Sequence, residues 1–203
     1  GCSAPWRRME EKRAGSSDSA SGTGDVTLDA KWRLLKQDAF IGTHYVSLIS
    51  AYTHAGAPTT TRPAVSDGRD SVLLGLGQTF VRPHWTWYCN GGWRLHDQED
   101  GIRDGTEELF NVAVGYRPRV VEPDVVEWTF LLEANRERQG RWRDRMGEMA
   151  DSGRSLWFLS PGMRIGYKTM LLSLGVQIPV RQSWHGEQTG IEYRSKIGVE
   201  YIF

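Results

Sequence analysis

The chain has 203 residues, and its 25 Lys and Arg balance its 25 Asp and Glu to a formal net charge of zero. Zero net charge excludes the basic footprint expected of a nucleic-acid binder. A mean hydropathy of −0.49, with no apolar run of about 18 residues, excludes a transmembrane helix. A membrane β-barrel stays open, because its alternating strands average to an ordinary hydropathy; 23 Gly and 9 Trp suit that class.

The chain opens on Gly1-Cys2-Ser3, which resembles the end of a lipoprotein signal with Cys2 as the lipidated residue, but no apolar segment precedes it and truncation is the blander reading. Cys2 and Cys89 are the only cysteines, too few for a disulfide framework or a metal-ligand set. The stretch APWRRMEEK is too charged to cross lipid and reads as the outer end of a poor strand; RAGSSDSASGTG reads as a polar external loop. Residues 1–24 are thus an N-terminal segment and loop, and residues 25–203 carry the strands of a single domain spanning 1–203.

From residue 25 the dominant signal is a period of two, the β period. Val26, Leu28, Ala30, Trp32 and Leu34 share one face, with Asp29, Lys31 and Arg33 on the other. The segment 42–53 is mixed on both faces. Val72, Leu74, Leu76 and Phe80 oppose Gly75, Gly77 and Thr79. Trp85, Trp87, Cys89, Trp93 and Leu95 oppose Thr86, Asn90 and Arg94. Phe110, Val112, Val114 and Tyr116 oppose Asn111, Gly115 and Arg117. Val126, Trp128, Phe130, Leu132 and Ala134 oppose Glu127, Glu133 and Asn135. Trp157, Leu159, Met163, Ile165 and Tyr167 oppose Arg164 and Gly166. Leu172, Leu174, Val176, Ile178 and Val180 oppose Ser173, Gly175 and Gln177. Ile191 and Tyr193 precede the closing KIGVEYIF, which alternates to Phe203. The apolar faces carry no charge, and a cost of about 2–4 kcal/mol for Arg or Lys at a lipid midplane is enough to clear them.

Counted back from Phe203, the connections alternate between long and short without a break. RQSWHGEQTG, RERQGRWRDRMGEMADSG, HDQEDGIRDGTE and HAGAPTTTRPAVSDGRD are long; the hairpin at Tyr167 to Thr169, RPRVVEPD, RPH and KQDA are short. Outer-membrane barrels show this asymmetry of short periplasmic turns and long external loops. The expected fold is therefore all-β: an antiparallel up-and-down transmembrane β-barrel of about 10–12 strands, nine of them clearly readable. Further N-terminal strands are expected outside this chain.

The segments GTGDVTLDAKWRLLKQD, SLWFLSPGMRIGY, LLSLGVQIPV and IEYRSKIGVEYIF, in that order, are similar to the family of outer-membrane proteins named for the MetA pathway of phenol degradation. The resemblance spans roughly residues 6–203. It implies an outer-membrane β-barrel that passes small, aromatic or hydrophobic molecules, and it carries no catalytic residues to transfer.

Parity directs Asp29, Lys31, Arg33, Arg94, Arg117, Glu127, Glu133, Arg164, Arg194, Lys196 and Glu200 inward as lumen-lining candidates. Opposed charges can line a selective passage or pair and plug it, and a barrel of this size accommodates either. Tyr201 and Phe203 are the expected assembly signal. His44, His54, His84, His96 and His185 lack metal-ligand spacing, GLGQTF lacks the third glycine and helix of a phosphate loop, and no Ser–His pair stands out. No metal, cofactor or enzymatic activity is expected. The expected partners are outer-membrane lipid, the barrel-assembly machinery, a small-molecule solute and a protein in the lumen or at the periplasmic face, in the bacterial outer membrane. The alternative is a structural or partner-binding barrel with a plugged lumen.

Overall fold

The computed structural model describes residues 2–3, 6–13, 16–56, 69–99, 101–120, 124–186, 188 and 190–201. Nine long strands follow one another: β1 Val26–Ala39, β2 Gly42–His54, β3 Ser71–Val81, β4 Trp85–His96, β5 Glu107–Tyr116, β6 Glu127–Gln139, β7 Arg154–Tyr167, β8 Met170–Trp184 and β9 Arg194–Tyr201. Each pairs antiparallel with the next, and Cys2–Ser3 adds a short tenth strand beside β1. The expected all-β, up-and-down architecture is observed, with the sheet curled into a half-barrel. Among the described residues no pairing joins β9 to β1, so the sheet has two edges.

Connections alternate between the two ends of the sheet: residues 40–41, 82–84, 117–126 and 168–169 lie at one, the turn end, and 55–70, 97–106, 140–153 and 185–193 at the other, the loop end. The expected contrast of short and long fails at 117–126, which is as long as 97–106, because β5 and β6 stop short of the prolines at 118 and 123. Phe40 and Ile41 turn β1 into β2. Gly42, at φ 148°, follows; a Cβ there would lie 2.4 Å from the Val81 carbonyl oxygen, so only glycine fits. Lys168 occupies the left-handed region at φ 52° in the two-residue turn between β7 and β8. Its Nζ lies 3.2 Å from Asp124 Oδ1, which helps hold the turn.

Large apolar side chains are exposed on the convex face of every long strand: Leu28, Trp32, Leu74, Trp87, Val112, Phe130, Leu159, Ile178 and Ile197 among them. The buried apolar residues among those described are only Ala113, Leu156 and Phe158, whereas Ser47, Ser71, Thr86, Glu107, Asn135 and Ser160 are buried polar ones. This distribution inverts that of a water-soluble sandwich, which hides its apolar faces between two sheets. The ten steps from Met170 to Val180 rise about 33 Å along the strand, enough at a tilt near 40° for an apolar band about 25 Å tall. Trp85 and Tyr116 pack together at the turn end of this face, with ring centroids 4.7 Å apart and planes tilted by 44°.

The structure corrects the sequence reading in two places. The stretch expected to be a poor membrane strand followed by a polar loop is a β-hairpin, Trp6–Arg13 with Ser16–Thr23, in a sheet of its own. Cross-strand pairing satisfies its backbone, which a serine-rich strand does without an apolar face. The long connections also hold structure: Gln98–Glu99, Ile102–Arg103, Arg143–Asp144 and Gly147–Glu148 form a four-stranded sheet. Phe203, half of the expected assembly signal, lies outside the described residues; Tyr201 is exposed and pairs with Met170.

Candidate functional site

The concave face gathers the polar residues. Partners directly opposite in an antiparallel ladder share a face, so register fixes each direction. Asp29 pairs with Ala51, Lys31 with Ile49 and Arg33 with Ser47, which is buried. This resolves the mixed strand β2: Tyr45, Ser47 and Ile49 face inward, while Leu48 pairs with outward Trp32 and Leu76. The Arg33 guanidinium lies 4.9 Å from the centre of the Tyr45 ring, where the ring quadrupole favours a cation.

One row of the ladder continues from Ser47 through Gly77, Asn90 and Asn111 to Asn135. The three asparagines bond across neighbouring strands. Asn111 Nδ2 donates to Asn90 Oδ1 at 2.7 Å and Asn135 Nδ2 donates to Asn111 Oδ1 at 2.9 Å. The Ser160 hydroxyl donates to Asn135 Oδ1, extending the chain to β7. Glu133 Oε2 sits 3.4 Å from Asn135 Nδ2. Part-buried amides satisfied in this way fix both register and side-chain direction.

Toward the loop end, charged pairs close the concave face. Arg94 Nη1 meets Glu107 Oε2 at 2.7 Å across β4 and β5. Arg194 Nη1 donates to both oxygens of Glu137, at 2.8 and 3.0 Å, and its guanidinium rests 4.7 Å from the centre of the Phe158 ring. Arg194 is on β9 and Glu137 on β6. Three strand spacings of about 4.8 Å separate these strands in a flat sheet, so the contact requires the sheet to curl toward this face. Arg194, predicted from parity, is thus brought together with Glu137 and Phe158, and Glu137 pairs with buried Leu156; none of the three was a candidate. Glu137 fell inside the segment read as loop, yet β6 runs on to Gln139. Leu156 and Phe158 carried a signal in SLWFL, which is apolar on both parities.

Toward the turn end the concave face is smoother. Gly162 pairs with Gly175, which pairs with Lys196; Gly198 pairs with Ser173, and Ser173 with Arg164. A Cβ on Gly175, Gly166 or Gly198 would meet nothing nearer than 3.8 Å, so these glycines leave open space along the wall. Glu127 pairs with Gly166 and Glu200 with Leu171, on the same face. Arg117 lies just past β5, where its amide donates to the His84 carbonyl at 2.7 Å. Register therefore puts the candidates that lie on paired strands on one face, and among them Arg94, Arg194, Glu133 and Arg33 make the side-chain contacts described above.

At the loop end, Tyr52 and His54 converge on Asp70. The Tyr52 hydroxyl and the Ala55 amide donate to its carboxylate, and His54 Nδ1 lies 2.9 Å from Oδ1. The Tyr52 hydrogen bond, then that of Ala55, holds the Asp70 carboxyl below the usual carboxylate range. Among the long connections, Arg69 pairs with Asp104 and lies 5.3 Å from the centre of the Trp142 ring. A cavity of about 450 Å³ opens beside them, lined by Arg103, Arg138, Arg141, Arg143 and Glu148. Among the described residues no three His, Cys, Asp or Glu side chains converge as a metal site would require.

These features define a class: an antiparallel up-and-down β-barrel wall, apolar outside and polar within. The model of the family described as "Putative MetA-pathway of phenol degradation" matches residues 3–194, and the chain belongs to that family. No curated protein matches the chain.

Proposed function

We propose that the protein is an outer-membrane β-barrel through which small, aromatic or hydrophobic molecules pass along the concave face. One observation carries this reading: every long strand exposes large apolar side chains on the convex face, while ion pairs and the asparagine row gather on the other face. Lipid suits the first face and a water-filled passage the second. The family's description supports aromatic solutes. The glycine-lined turn end gives room. The Asn90–Asn111–Asn135 row supplies donors and acceptors at mid-depth, which could take a solute hydroxyl in exchange for a ladder bond. Vesicles reconstituted with the chain should take up phenol-sized aromatic solutes faster than empty vesicles, and large saccharides no faster. Equal uptake with and without protein would refute the passage.

A second reading rests on Arg194, Glu137 and Phe158, which fill the loop end of the concave face. In that reading the barrel is plugged there and serves as a structural or partner-binding component. Conductance that appears only after Glu137→Ala would favour it.

A further inference from the structure

On the convex face of β6, β7 and β8 the composition changes within a single step of the ladder. Ala134, Leu159 and Ile178 lie side by side in register and are all apolar. The next outward-facing row toward the loop end is Arg136, Trp157 and Arg181, again in register. Plain alternation from Ile178 would aim Arg181 at the concave face. The ladder is irregular here: Phe158 pairs with Pro179 and Trp157 with Arg181, leaving Val180 as the extra residue. This bulge brings Arg181 out beside Trp157, as bulges re-aim side chains elsewhere. The Arg136 guanidinium lies 5.6 Å from the centre of the Trp157 ring. Among the described residues, neither Arg136 nor Arg181 has a carboxylate within ion-pair distance, and Arg136 Nε has no hydrogen-bond partner. The neighbouring Arg138 does have one, Glu108, at 3.4 Å.

From this row we infer that the convex face carries a seat for the phosphate of an outer-leaflet lipid headgroup, with Arg136 and Arg181 as its donors and Trp157 between them. The inference rests on the outer-membrane reading above, which puts hydrocarbon against Ala134, Leu159 and Ile178 and therefore headgroups against the next row. A guanidinium forks two N–H groups onto phosphate oxygens, which lysine cannot do. Trp belongs at the same depth, with its ring against acyl chains and its N–H toward the headgroups. Two cations without acidic partners, side by side at the edge of an apolar band, are complementary to a doubly charged lipid and to little else that reaches that depth.

The test uses the full chain folded into two kinds of phosphatidylcholine vesicle, one with diphosphorylated lipid A and one with the same lipid dephosphorylated. The readout is the temperature at which heat-modifiable migration is lost. The unsubstituted protein should melt higher with the phosphorylated lipid. The double variant Arg136→Gln, Arg181→Gln should lose most of that rise, and Arg164→Gln, on the concave face, should keep it. Equal rises in the unsubstituted protein and the double variant, or no rise in either, would overturn the inference while leaving the barrel reading intact. Failure to insert into either vesicle would overturn both.

Discussion

The two faces of this sheet differ in what decides each residue. On the convex face most side chains between its two ends are apolar, Gln78 with its bond to His44 being an exception, and Leu, Val, Ile, Trp and Phe alternate along the band with little regard to exact identity. On the concave face identity matters where a polar group is matched to a particular partner: Arg194 to Glu137, Arg94 to Glu107, Asn111 to Asn90 and Asn135. The convex face is specified by a solvent and the concave face by contacts. A change that respects polarity should therefore pass unnoticed outside and be felt inside.

The largest effect should come from breaking polarity on the convex face. Leu174→Arg should destabilise the folded barrel in bilayers by about 2–4 kcal/mol, whereas Gln177→Arg, on the concave face of the same strand, should fold nearly as well; urea titration in vesicles compares them. Next is Glu137→Gln, which removes the charge that Arg194 grips with two hydrogen bonds. A charged hydrogen bond contributes about 1.5–3 kcal/mol. Because Arg194 is partly exposed, a loss of about 1–2 kcal/mol is expected, with a rise in conductance as the side chain is released. Asn111→Ala should cost about 1 kcal/mol by breaking the amide row at its centre, and hydrogen exchange should quicken on β4 and β6 together. Val112→Leu, one residue away but convex, should leave the same exchange rates unchanged.

The smallest effect is at the loop end. The Asp70 carboxyl is held low by Tyr52 and Ala55, so its grip is complete above the unfolded value of about 4 and is lost as pH falls through the lower folded value. Proteolysis next to residue 69 should quicken at the acid end of that window, and Asp70→Asn should be quick at neutral pH and insensitive to acid.

The convex face was almost wholly legible in the sequence, because lipid exposure writes a period of two: Val72 to Phe80, Trp85 to Leu95 and Leu172 to Ile178 all point as the alternation directs. Two things interrupt that legibility. The first is the pair of bulges, at Leu34 and Val180, where one extra residue resets parity. The adjacent leucines at 34 and 35, both exposed, were the visible trace of the first. The second is strand length. Pairing continues beyond the apolar band, where alternation fades, so Glu137 and Arg181 looked like loop residues although they lie on strands. The candidate site was legible in direction only. Parity aims Arg194 inward, but its meeting with Glu137 across three strand spacings depends on curvature, which a period of two does not encode.

The central claim is that one face of each strand meets lipid and the other water. Single cysteines at positions 172 to 177, introduced one at a time with Cys2 and Cys89 replaced by serine, test it on the folded chain in vesicles. A membrane-impermeant thiol reagent should label the variants of Ser173, Gly175 and Gln177 and spare those of Leu172, Leu174 and Val176, while a lipid-dissolved quencher should reach only the second set. Equal labelling at all six positions, or the opposite alternation, would contradict the account.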